Sequence, residues 1–128
     1  MDKRKVLIVD DEKDFLDFMR IRISNWGYEI SEAVNGKDAL SALASQNPDI
    51  VVLDYLMPDM DGIEVLKEIR KLNKEIPVVM FTAHPEMKVI QGAEKLNVSA
   101  FIPKLSAYQD VDKSLKAALD LIEQKLNK

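Results

Sequence analysis

What most restricts this chain is an alternation repeated five times. A short apolar run is followed each time by a segment with apolar residues at helical spacing. The runs are KVLIV (5–9), YEISEAV (28–34), IVVL (50–53), VVMF (78–81) and SAFIP (99–103). The runs at 5–9, 50–53 and 78–81 are continuously apolar, as strands buried on both faces must be. The run at 28–34 alternates, as an edge strand would. Pro103 cannot donate to a ladder, so the fifth strand belongs at a sheet edge or ends there.

The intervening segments read as helices. Lys13–Asn25 carries Phe15, Leu16, Met19 and Ile23 and ends at Trp26-Gly27. Lys37–Gln46 follows an Asn35-Gly36 turn, carries Ala39, Leu40 and Leu43, and stops at Asn47-Pro48. Ile63–Leu72 runs through Ile63, Leu66 and Ile69. Glu86–Leu96 is helical, with Asn97 as a left-handed cap. Ser106 and Gln109 resemble a capping box. The last helix then runs through Val111, Leu115, Ala118, Leu119, Ile122 and Leu126, with fraying expected beyond Glu123.

Five βα units imply a parallel sheet covered on both faces. Right-handed crossovers leave few topologies. The expected fold is α/β: a doubly wound (βα)5 flavodoxin-like sandwich with strand order 2-1-3-4-5. Its site should lie at the carboxyl ends of the first and third strands, where the winding reverses.

The chain has 128 residues, which suits one domain spanning 1–128 with a core of about 4–123. Its net charge of −4 argues against direct nucleic-acid binding, which needs concentrated Lys and Arg. With no cysteine, disulfides and thiolate metal sites are excluded. No signal-peptide pattern is visible and no apolar run approaches the roughly 20 residues of a membrane span. These features fit a cytoplasmic protein without a membrane partner.

The polar residues at the strand ends carry the chemistry. The first strand delivers Asp10-Asp11-Glu12, the third Asp54, the fourth Thr82 and the fifth Lys104. Taken singly, each has a bland reading. Asp10, Asp11 or Glu12 would be a first-turn acid or N-cap, Asp54 a loop cap, Thr82 a strand-end hydroxyl, and Lys104 a solvated lysine. Together, at the ends of those four strands, they outweigh it. Several carboxylates in one crevice repel each other unless a cation joins them. Oxygen donors without His or Cys suit Mg²⁺. A carboxylate flanked by Mg²⁺, a lysine and a hydroxyl can act as nucleophile towards a phosphoryl group. Asp54, on a central strand, is the candidate.

This constellation resembles the receiver domain of two-component response regulators. The stretches that carry the resemblance are VLIVDDE (6–12), VVLDYLMPDMDGIEVL (51–66), VVMFTAH (78–84) and AFIPK (100–104). They span nearly the whole chain. The family's own strand order is 2-1-3-4-5, so that expectation does not stand apart from the resemblance. The resemblance implies Asp54 as phosphoacceptor and Mg²⁺ held by Asp10, Asp11, Asp54 and the backbone carbonyl of Leu56. Asp11 would ligate the ion directly and Asp10 through water. Thr82 would be the switch hydroxyl, Lys104 the phosphate-contacting lysine and Phe101 the switch aromatic. It further implies a sensor histidine kinase or histidine phosphotransfer protein as donor. A downstream protein or output domain would read the face built from the fourth helix, fifth strand and last helix. Homodimerisation on phosphorylation is compatible with it. Such a chain is a signalling domain rather than an enzyme, apart from its self-catalysed phosphotransfer and dephosphorylation.

Three positions depart from the family's pattern or tune it. A proline usually follows the lysine; here Leu105 does, and Lys104–Leu105 is expected to be trans, since a cis bond to a non-proline costs about 3–4 kcal/mol. Leu56, two past the acceptor, is bulky and should hinder the attacking water, lengthening the phosphoryl lifetime. His84, two past Thr82, reads as a solvated loop residue. The other residues have plainer readings. Trp26 is expected to pack at the end of the first helix, and Asp59, Asp61 and Gly62 to form a turn. Tyr108 and Val89 are candidates for a partner surface. The chain stops after the last helix, which suits a stand-alone receiver or one excised from a longer protein. Two other classes share the fold. In a haloacid-dehalogenase-type phosphohydrolase the nucleophile would end the first strand. A flavodoxin-like cofactor binder would need a Ser/Thr/Gly-rich phosphate loop.

Overall fold

The computed structural model describes residues 3–83, 86–104 and 108–127, with the backbone alone at 108–110. Ten elements alternate: β1 (Lys5–Val9), α1 (Lys13–Asn25), β2 (Glu29–Ala33), α2 (Gly36–Gln46), β3 (Ile50–Asp54), α3 (Gly62–Leu72), β4 (Val78–Thr82), α4 (Met87–Lys95), β5 (Ala100–Pro103) and α5 (Tyr108–Leu126). The strands form one parallel sheet in the order β2-β1-β3-β4-β5. The expected α/β doubly wound sandwich is therefore the observed one.

Strand period two divides the core between two helical layers. Val6, Ile8, Ile50, Val52, Val79, Phe81 and Ile102 face α1 and α5. Leu7, Val9, Val51, Leu53, Val78 and Met80 face α2, α3 and α4. β3 and β4 are buried along their whole length, whereas β2 is half exposed, as its alternation predicts. β5 pairs with β4 alone, so Pro103 sits at the sheet edge.

The helix ends follow their local chemistry. Gly27 takes φ +98° after α1; its N–H donates to Ser24 O and that of Tyr28 to Ile23 O. Asn97 does the same after α4 with φ +58°, Val98 N–H reaching Ala93 O. Trp26 packs against the α1–α5 cluster as expected. Arg70 ties two helix ends together. Its guanidinium donates to Leu96 O (2.7 Å), Asn97 O (3.0 Å), Ile76 O (2.8 Å) and Asn73 O (3.3 Å), all of them carbonyls near the ends of α3 and α4.

α5 runs to Leu126, as its apolar spacing predicts, with Arg4 paired to Glu123 and donating to Asn127 Oδ1 (2.7 Å). α2 and α3 each begin one residue earlier than expected, at Gly36 and Gly62, because side-chain caps hold those first turns. The Ser106–Gln109 capping box, the Lys104–Leu105 bond, His84 and the Tyr108 side chain lie outside the described residues.

Candidate functional site

β1, β3 and β4 end side by side, and each end carries one buried polar residue. Asp10 is 0% exposed, Asp54 4% and Thr82 0%; among the described residues these are the buried polar side chains of the core. Their placement follows from the winding. The sheet leaves no helix over the crevice between the β1 and β3 ends, so polar groups there can reach an incoming ligand.

Lys104 closes the group from β5. Its backbone N–H donates to Thr82 O (2.6 Å), which fixes where its side chain starts. The ammonium lies 2.9 Å from Asp10 Oδ2, 2.9 Å from Glu12 Oε1 and 3.2 Å from Asp54 Oδ1. It also sits 4.3 Å from the centre of the Phe15 ring, a cation–π contact. Phe15 in turn meets the edge of Phe81 at 5.6 Å, so the floor under the lysine is part of the core.

The electrostatics follow from crowding. Burial raises the Asp54 carboxyl to about 7, Asp10 adds to the rise, Lys104 opposes it, and Asp11 raises it further. Burial also raises Asp10, against the hydrogen bond and charge of Lys104. Burial pulls Lys104 down, but the hydrogen bond and charge of Asp10, the charge of Asp54 and the hydrogen bond of Glu12 outweigh it, and the net shift is upward. One cation is thus set against three carboxylates. Carboxylate oxygens of Asp10, Glu12 and Asp54 come within 4.8 Å of one another. An oxygen-only donor set with excess negative charge fits a hard divalent cation.

Glu12 was placed at the strand end by the sequence but given no role in the site. It stands at the N-cap position of α1 but makes no side-chain cap bond. Instead Asp10 Oδ1 accepts its backbone N–H at 2.9 Å, turning the chain so that the Glu12 side chain reaches Lys104. The signal was present: an Asp followed two residues later by an acid, at a strand end, favours such a side-chain-to-backbone turn.

The β3–α3 loop is locked to the site. Gly62 N–H donates to Tyr55 O at 2.6 Å. A Cβ at Gly62 would fall 2.6 Å from Asp54 O and 2.8 Å from Tyr55 Cα, so only glycine permits this approach. Asp61 caps α3 in a full capping box with Glu64. Asp59 reaches back to α2, accepting from Gly36 N–H (2.9 Å) and Lys37 N–H (3.0 Å). Asp59, Asp61 and Gly62 form more than a turn: they cap two helices and fix the strand end that bears Asp54.

A family model described as the response regulator receiver domain matches residues 6–116. The chain belongs to this family. Solved structures agree. A CheY-like receiver domain protein from Methanospirillum hungatei shares 25% identity, covering 97% of this chain and 99% of that one, with a TM-score of 0.85. The chemotaxis protein CheY4 of Vibrio cholerae shares 25%, covering 91% and 99%, with a TM-score of 0.81. A phosphorylated cyanobacterial phytochrome response regulator, RcpA, shares 26%, covering 91% of each chain, with a TM-score of 0.82. Receiver domains are signalling domains that work with histidine kinases and output domains.

Within this receiver domain the remaining expected residues stand apart from the buried cluster. Asp11 is exposed and outside the close carboxylate group, although its charge acts on Asp54. Leu56 is 49% exposed beside the crevice. Phe101 is half-buried and packs in the layer of α2, α3 and α4, beside Met80 in the sheet. Val89 is largely buried, at 5% exposure, and lines a hollow between α3 and α4. Among the described residues, no helix is long and apolar enough to cross a membrane.

Proposed function

We propose that this receiver domain, taken as residues 1–128, accepts a phosphoryl group on Asp54. The donor is a phosphohistidine of a sensor histidine kinase or a histidine phosphotransfer protein. The observation that supports this best is the buried Asp54 carboxylate, at the end of the sheet's middle strand, sharing Lys104 with Asp10 and Glu12.

An ionised Asp54 oxygen attacks phosphorus, a P–O bond forms and the P–N bond breaks, its electron pair staying on the imidazole nitrogen. Lys104 offers its charge to the phosphoryl oxygens, and Thr82, on the neighbouring strand, offers a hydroxyl. Asp10, Asp11, Asp54 and the Leu56 carbonyl would hold Mg²⁺, with Glu12 within reach. Bound there, the ion would neutralise the carboxylates and the phosphoryl oxygens. The added charge draws Thr82 towards Asp54, and Phe101 turns inward from its half-buried position. The α4-β5-α5 face then changes for a downstream protein or output domain, or for a second copy of the chain. The domain acts in the cytoplasm, without direct contact with nucleic acid or membrane. The acyl phosphate later hydrolyses at the same site, and Leu56 slows the attacking water.

The test is intact mass after incubation with Mg²⁺ and a small acyl-phosphate donor. The expected result is a gain of one phosphoryl group in the wild type, none in Asp54→Asn, and none when EDTA precedes the donor. Equal gain in Asp54→Asn would overturn the assignment.

A further inference from the structure

A second concave feature lies between α3 and α4, away from the carboxylate cluster. It is a cavity of about 520 Å³, floored by Ile63, Val89, Gly92 and Leu96. Lys67 of α3 and Lys88 and Lys95 of α4 stand at its rim. Lys88, Gly92 and Lys95 fall at i, i+4 and i+7, on one face of α4. All three lysines are exposed, and none has a carboxylate within ion-pair distance among the described residues. Asp61, the acid that also lines the cavity, is engaged in capping α3. On a chain of net charge −4, this is a local excess of positive charge, three lysines against the one carboxylate of Asp61, around an apolar floor.

Gly92 is informative. A glycine inside a helix costs about 1 kcal/mol relative to alanine. Packing does not require it, because the atoms nearest a Cβ there, all of the Ile63 side chain, would lie at ordinary contact distance, Cδ1 at 3.4 Å and Cγ1 and Cγ2 at 3.8 Å. What the glycine provides is an open floor. One end of the groove is also held in place, since Arg70 of α3 donates to the carbonyls of Leu96 and Asn97 at the end of α4. Exposed Leu56 (49%) and Met87 (66%) add apolar surface nearby, Leu56 in a smaller adjoining hollow that shares Tyr55, Lys88 and Val89.

We infer that the α3–α4 groove docks an acidic amphipathic helix of a partner protein. Its apolar residues would lie over Gly92 and its glutamates or aspartates would meet Lys67, Lys88 and Lys95. A concave floor favours a helix over a membrane surface, which would need a flat or convex face. The groove shares α4 with the α4-β5-α5 face but is completed by α3, and the inference does not depend on Asp54 accepting phosphate.

The probe is a synthetic helical peptide of about four turns with leucines along one face and glutamates flanking them. Its control carries lysines in place of the glutamates. Amide chemical shifts of the full chain are followed during titration. The expected result is that the acidic peptide moves the signals of Ile63, Gly92 and Leu96 and binds at least about tenfold tighter than the control. Gly92→Leu, which fills the floor with a better helix former, abolishes binding. So does Lys67→Glu/Lys88→Glu/Lys95→Glu. Both variants keep the wild-type amide pattern elsewhere and the same gain in mass with acyl phosphate as the wild type. Equal binding of the two peptides, shifts on another face, undiminished binding by Gly92→Leu, or sedimentation with phosphatidylserine vesicles in place of peptide binding would overturn the inference.

Discussion

Asp54 and Asp59 stand five residues apart in one connection, yet their surroundings push them in opposite directions. Asp54 is desolvated beside Asp10 and rises to about 7. Asp59 is exposed, and backbone N–H groups of Gly36, Lys37 and Met60 hold it below the usual carboxylate range. One carboxylate is costly to ionise where it lies; the other is welcomed as an anion. The first is therefore poised for chemistry and the second for holding the loop.

Four changes break or sharpen that contrast. Lys104→Met removes the cation that offsets the cluster. It should cost about 3–5 kcal/mol at pH 8 in urea unfolding, and less at pH 5. Gly62→Ala joins the two aspartates' fates, because the new methyl strikes Asp54 O and Tyr55 Cα. It should cost about 1–3 kcal/mol and also lower the yield of phosphorylated protein. Asp54→Asn should stabilise the metal-free protein at pH 8 by on the order of 1–3 kcal/mol. The sign follows from the raised carboxyl. Its contribution is complete below the unfolded value of 3.8 and is lost as pH climbs to about 7. The advantage of the asparagine should therefore grow from pH 4 to 7 and then level off; a constant difference would refute the desolvation account. Asp59→Ala should have the smallest effect and the reverse dependence. Its lowered carboxyl stabilises above 3.8, so the loss should disappear as pH falls through the folded value.

The contrast also marks where the sequence was legible. Strand ends could be read, because a continuous apolar run stopped by Asp10, Asp54, Thr82 or Lys104 declares both burial and a polar terminus. The five strands and the polar residues at their ends followed from this, while the strand order rested also on the family resemblance. The reach of Glu12 to Lys104 could not be read that way, since it depends on one turn hydrogen bond to Asp10. Asp59 was read as local turn chemistry, but it caps a helix 22 and 23 residues upstream. The length of α5 was legible from its apolar spacing through Leu126, but its contact with Arg4, at the opposite end of the chain, was not. Local pattern announces elements; contacts between distant segments decide their edges.

An ammonium group has three N–H bonds. At Lys104 three carboxylates stand ready to take them. A phosphoryl group on Asp54, as proposed above, would remove the charge of that carboxylate and set its own oxygens there, so the N–H now directed at Asp54 could pass to it. Asp10 is sealed from solvent, while the Glu12 side chain is 63% exposed. Occupation of the pocket is thus an exchange reaction at nitrogen. On the proposed function the partner exchanged would be the Asp54 carboxylate, with Asp10 and Glu12 holding the ammonium in place while it is handed over.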